Sequence, residues 1–213
     1  MAWAPCPAPF SGSGGGGGID SNGIAQGGYF VMTAQTYNGN LGGLTGANAK
    51  CLTELQTHPW KGKGSAGTLN ATRVKAFLCT NATCNNLNPY TRYTFAMTRD
   101  VNSGGATFTT DMNGQGPNDD QAWHQASYFG SSTSSNNYRW WSNRNSGSST
   151  YWGNTPADTG TSYNCSNWTL TSGNGYFGTI TSSSSSGSNR WMHSSVGCTT
   201  TYSLICYVNP ATE

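Results

Sequence analysis

Tyr163-Asn164-Cys165-Ser166-Asn167-Trp168, then Gly197-Cys198, then Leu204-Ile205-Cys206: this stretch decides the fold. Its half-cystines sit among Ser, Thr, Asn and Gly, and it closes on a short apolar strand. Paired cysteines in such a setting belong to a chain that folds in an oxidising place. The pattern also fits one way of stapling a small mixed domain. The terminal strand is tied back to an early helix, and a long loop is tied to itself.

Outward from that stretch, the composition is unusual. The 213 residues suit one domain with a tail. About half of them are Gly, Ser, Thr or Asn, where ordinary globular chains carry more Leu, Ala, Lys and Glu. Charged residues are 8% and the net charge is +2, so solubility rests on hydroxyls and amides. That charge is too weak for a nucleic-acid partner. Short polar side chains suit the long hydrogen-bonded loops of secreted adhesins, fibre tips and lectin-like modules.

The seven cysteines are Cys6, Cys51, Cys79, Cys84, Cys165, Cys198 and Cys206. None forms a Cys-x-x-Cys pair, and His58, His124 and His193 make no short-spaced cluster, so disulfides fit better than zinc. Six can pair, and Cys6 is left over as a lipid-bearing, intermolecular or unpaired thiol; Trp3-Ala4-Pro5 makes a poor lipobox. No stretch is long and apolar enough for a membrane span. Met1–Pro9 shows no signal peptide, so export would use a signal removed or carried on a longer precursor.

Residues 1–28 read as a Gly/Pro-rich tail or stalk junction, and 29–213 as the folded domain. Tyr29–Thr33 reads as the first strand and Asn38–Gly43 as turn chemistry. Thr45 is the expected N-cap of a helix to about Gln56, with Cys51, Leu52 and Leu55 inward and Lys50 and Glu54 on the exposed side. Pro59 stops it. Further strands are expected at Arg73–Leu78, Tyr90–Met97 and Leu204–Val208, with a local disulfide loop from Cys79 to Cys84. The chain from Val101 to Ser149 reads as loop-rich, and Ser182–Ser186 as a surface loop.

These residues resemble a family. Phe30-Val31-Met32 followed by Asn40-Leu41-Gly42-Gly43-Leu44-Thr45-Gly46-Ala47-Asn48-Ala49-Lys50-Cys51 is similar to the opening of endostatin, the C-terminal domain of certain collagens. Lys75-Ala76-Phe77-Leu78 resembles its next strand. Tyr151-Trp152-Gly153-Asn154, Pro156, Gly160 and Tyr163 to Trp168 resemble its Trp, Pro and Cys-x-x-Trp segment, and Arg190 through Cys206 resembles its end. The matches keep one order and span most of 29–209. The polar style is also similar to bacterial secreted or lipoprotein domains of the same C-type-lectin-like fold. The resemblance implies an α+β, C-type-lectin-like (endostatin-like) fold, with a mixed twisted sheet, one main helix and long polar loops. It implies nested disulfides Cys51–Cys206 and Cys165–Cys198, with Cys79–Cys84 an addition. The family's basic arginine surface and N-terminal zinc-binding histidines have no counterpart here, so heparin affinity and zinc do not carry over.

The expected ligand surface is the cluster Tyr138, Arg139, Trp140 and Trp141 with Arg144. Sugars stack on aromatic rings, and Arg, Asn and Ser satisfy their hydroxyls. In a regular strand at most one of Trp140 and Trp141 faces inward. Trp152, Trp168 and Trp191 read as structural. Gly116-Pro117-Asn118-Asp119-Asp120, with Asp111, offers oxygens for calcium but lacks the acid-containing tripeptides of sugar-binding C-type lectins. The same segment also reads as a solvated turn. Catalysis is poorly supported: Glu54 and Glu213 are the two glutamates, and His124 beside Asp119 and Asp120 is an isolated pairing. Asn70, Asn81, Asn164 and Asn167 head N-glycosylation sequons.

The expected function is thus an extracellular or cell-surface recognition module, not an enzyme and without a cofactor. It binds a glycan or a surface protein, as the tip of a fibre. The alternative is a structural subunit or cap of an extracellular assembly. The N-terminal tail leaves room for a homo-oligomer such as a trimer.

Overall fold

The computed structural model describes residues 18–19, 25–57, 69–95, 107–115, 139–145, 155–179 and 194–210. They form a small α+β domain with mixed sheets. A two-stranded ribbon, β1 (Gly18–Ile19) and β2 (Ala25–Gln26), lies within the stretch read as tail. Then come β3 (Gly28–Met32), α1 (Gly43–Thr57), β4 (Val74–Ala76), β5 (Arg92–Phe95) and β6 (Thr107–Thr109). They are followed by β7 (Arg139–Trp141), β8 (Asn174–Thr179), β9 (Ser194–Gly197) and β10 (Ile205–Val208).

The main sheet runs in the order β4-β10-β3-β5-β6, with β3 and β5 parallel and the other pairs antiparallel. In it Cys206 of β10 sits opposite Val31 on one side and Ala76 on the other. A second sheet has the order β7-β8-β9. The two are joined where Trp140 bridges to Ser203.

All five residues of β3 are buried, instead of alternating, because both faces of the sheet are covered. Tyr29 and Val31 point toward α1 and join Cys51, Leu55, Val74, Ala76, Cys206 and Val208. On the other face Phe30 meets Phe77 edge-on, with centroids 5.2 Å apart, and Tyr93 at 5.7 Å. Tyr207 closes that cluster against Phe77.

Three disulfides occur among the described residues: Cys51–Cys206, Cys165–Cys198 and Cys79–Cys84. The first ties α1 to β10, an interior strand of the sheet, over a separation of 155 residues. A loop that long restricts the unfolded chain by about 5 kcal/mol in the chain-entropy picture. Cys6 lies outside the described residues.

Three expectations need correction. The helix starts at Gly43, so Thr45 is inside its first turn and does not cap it. Gly42 and Gly43 take the left-handed backbone, at φ 79° and 69°, that lets the chain enter earlier. Glu54 is not on the exposed side. It is 2% exposed, and its Oε1 accepts the backbone N–H groups of Ala34 (2.5 Å) and Gln35 (3.3 Å) just beyond β3. Those two donors have left the sheet, and the carboxylate satisfies them. Finally, the loop-rich stretch 101–149 contains β6 and β7.

Candidate functional site

The expected ligand cluster is mostly interior. Trp140, Trp141 and Arg144 are 0%, 1% and 0% exposed, so none of the three offers a surface to a ligand. Strand β7 pairs with β8 on one side and bonds to residue 203 on the other, and both tryptophans, sent to opposite faces by strand alternation, are buried because both faces are covered. Trp141 packs on Trp168 and Tyr202, and its indole N–H donates to the carbonyl of Tyr37 at 2.7 Å. Arg144 lies with its guanidinium carbon 3.7 Å from the centre of the Phe77 ring. It donates to the carbonyl of Asn85 (2.5 Å) and to Asn86 Oδ1 (3.4 Å), and burial pulls its pKa down to about 9. Tyr138 lies outside the described residues.

Among the described residues of the cluster, Arg139 alone reaches the surface, and it is half-buried. Its guanidinium covers the Phe177 ring at 5.1 Å and the Tyr202 ring at 5.9 Å, and it donates to the Tyr202 hydroxyl at 3.2 Å. Tyr37 pairs with Tyr202 through the backbone, and Lys50 lies over the Tyr37 ring at 5.4 Å.

Of the residues expected to offer oxygens to calcium, Asp111 is the one that falls among the described residues. Asp119 and Asp120, like His124, lie outside the described residues. Asp111 closes its own turn, with Oδ1 accepting the N–H groups of Asn113 and Gln115, each at 2.8 Å. Among the described residues no three His, Cys, Asp or Glu gather as a metal site. Of the sequons, Asn164 is fully buried.

An exposed aromatic surface lies beside residues 163–168. Cys165, Ser166, Asn167 and Trp168 all have positive φ, from 50° to 66°, and form one left-handed turn. Such a backbone costs an L-residue about 1–2 kcal/mol each, so the surroundings must hold it. The Cys165–Cys198 disulfide does so, and Asn164 Oδ1 accepts the N–H of Asn167 at 2.8 Å. The Trp168 indole donates to the Cys79 carbonyl, and Asn167 Oδ1 accepts the N–H of Asn81.

The loop entering that turn is built on two side chains. Asn143, buried and itself at φ 53°, accepts the N–H of Asp158 at 2.9 Å and donates to the carbonyls of Thr80 and Asp158. Asp158 then accepts the N–H of Gly160 on one oxygen and that of Tyr163 on the other, both at 2.8 Å. This fixes Tyr163, whose ring stacks on Tyr176 with centroids 4.9 Å apart and planes 27° apart. Tyr163 is 38% exposed and Tyr176 is half-buried. Desolvation raises the Tyr176 hydroxyl pKa, and the charges of Tyr163 and Asp158 raise it further.

Tyr163 stands out in the sequence as part of a motif, and Tyr176 does not. One signal was present: in Gly175-Tyr176-Phe177-Gly178, strand alternation sends Tyr176 out once Phe177 points in. The partnership of 163 with 176 had no sequence signal, since a hydrogen-bonded loop creates it.

A scan against known protein families finds no match, and a search of curated proteins finds none either.

Proposed function

We propose that this chain is an extracellular recognition module of C-type-lectin-like, endostatin-like type, which binds a glycan on a cell surface or in a matrix. The observation that carries the reading is the Tyr163–Tyr176 pair, an exposed aromatic platform on a loop fixed by Asp158, Asn143 and the neighbouring disulfide-held turn. Recognition sites of this kind combine rigid aromatic faces with a few placed polar groups. The three disulfides support an oxidising, extracellular setting. Arg139 on Tyr202 and Phe177 is a second polar-aromatic element of the surface.

The test is a broad glycan array, sulfated glycans included, probed with the oxidised protein at physiological salt. A defined hit supports the reading. A blank across neutral and charged glycans overturns it.

A second reading, a structural subunit of an extracellular assembly, draws on Tyr90 and Met112. They are 74% and 67% exposed, and a backbone bond from Tyr90 to Asp111 holds their two loops together. Large apolar side chains left open in this way suit burial against a neighbour. Light scattering over a range of concentrations decides it, since a concentration-independent monomer argues against assembly.

A further inference from the structure

We propose that the Tyr163–Tyr176 pair is a stacking subsite for the C–H face of an uncharged hexopyranose; this rests on the glycan-binding reading above. Three observations narrow the ligand class.

The first is the ring geometry. Planes 27° apart and centroids 4.9 Å apart make a stack and not an enclosing corner, and Tyr163 is 38% exposed. Caging a cation such as a quaternary ammonium takes several ring faces directed at one point. A flat face instead matches the patch of axial hydrogens on a pyranose, and galacto sugars gather three of them on one side.

The second is charge. Asp158 is close enough to Tyr176 to raise its affinity for a proton, and no cation lies against either ring among the described contacts. A ligand carboxylate or sulfate would meet that negative field. A neutral sugar would not, and its hydroxyls would find acceptors in the Asp158 oxygens, each of which holds one backbone N–H and has a lone pair left.

The third is rigidity. The platform is bounded on both sides by non-glycine residues in the left-handed region, Asn143 before it and Cys165 to Trp168 after it. Strain of this kind persists where the surroundings over-determine the backbone, and it collects at ligand sites. The Tyr163 N–H on Asp158 and the Tyr176 N–H on the Tyr163 carbonyl (2.7 Å) hold both ends of the stack. The rings therefore need little ordering when a ligand arrives.

The experiment is saturation-transfer NMR on the oxidised full chain with four probes: methyl β-galactopyranoside, methyl β-glucopyranoside, methyl β-glucuronide and choline. Transfer to the ring protons of one face of a neutral glycoside is expected. It should fall at least tenfold in Tyr163→Ser and survive in Tyr163→Phe, with the melting temperature of each variant within a degree or two of the parent. Tyr163 is exposed enough for both variants to fold. Transfer to choline or glucuronide alone, or a neutral signal indifferent to Tyr163→Ser, overturns the subsite. An array hit on charged glycans that Tyr163→Ser leaves unchanged sinks the subsite and spares the glycan-binding reading. A blank with every glycan sinks both.

Discussion

The indole N–H of Trp168 donates to the backbone carbonyl of Cys79 at 2.6 Å, joining residues 89 apart in the chain. It ties the left-handed turn to the small Cys79–Cys84 loop, and both groups are buried. Trp168→Phe keeps most of the ring and deletes the donor, leaving the Cys79 carbonyl short of a partner. The expected loss is about 1–3 kcal/mol, read as a lower urea midpoint with an unchanged slope.

Ser166 sits at φ 52° and its side chain makes no hydrogen bond in the described contacts, whereas its carbonyl accepts the Thr169 hydroxyl. Ser166→Gly removes the left-handed penalty and keeps that carbonyl. It should stabilise the domain by about 0.5–1 kcal/mol, whereas Ser166→Val should destabilise it. Thermal melts of the two variants check the opposite signs.

Glu54 accepts two backbone N–H groups where β3 ends. Glu54→Ala removes the partner of both donors, part-buried at Ala34 and exposed at Gln35, and should cost about 1–3 kcal/mol, chiefly at Ala34. Amide exchange at Ala34 and Gln35 should accelerate more than exchange in β10. Equal acceleration everywhere would mean a global effect and would count against the capping role.

Alkaline stability follows from buried hydroxyls. Burial pushes Tyr93 and Tyr207 well above the usual tyrosine value; a backbone bond from Asn88 partly offsets this at Tyr93, and the Arg144 charge does so at Tyr207. A group whose folded pKa is raised contributes below its unfolded value, about 10, and loses that contribution as pH climbs. Arg144 has the opposite sign. Its folded pKa is lowered to about 9, so its burial penalty is relieved above that. Urea midpoints should therefore hold or rise slightly from pH 9 to 10 and fall beyond it, where two tyrosines oppose one arginine. Tyr207→Phe should flatten that fall.

Much of the main sheet was legible because its strands carry dense apolar runs. Tyr29–Thr33, Arg73–Leu78 and Leu204–Val208 each match an observed strand to within two residues at either end. The pairs Cys51–Cys206 and Cys165–Cys198 followed from ordered family-like motifs. The second sheet was opaque, since β8 is Asn-Gly-Tyr-Phe-Gly-Thr and β9 is Ser-Ser-Val-Gly. Neither has strong strand propensity, and pairing alone makes them strands. The Trp140-Trp141 surface was misread because alternation separates two faces but cannot say that both are covered. Glu54 was misread for a related reason: a carboxylate on a helix is taken as solvated unless a distant backbone donor is known.

The position of β10 between β3 and β4 also sets an order of events during synthesis. Both neighbours leave the ribosome long before residue 208, and until then the central slot of the sheet is vacant. The chain must emerge with two apolar strand edges open and Cys51 still reduced or wrongly paired. The sheet is therefore expected to close only once residue 208 has emerged, and the pairing of Cys51 to be sensitive to the local supply of disulfide isomerase.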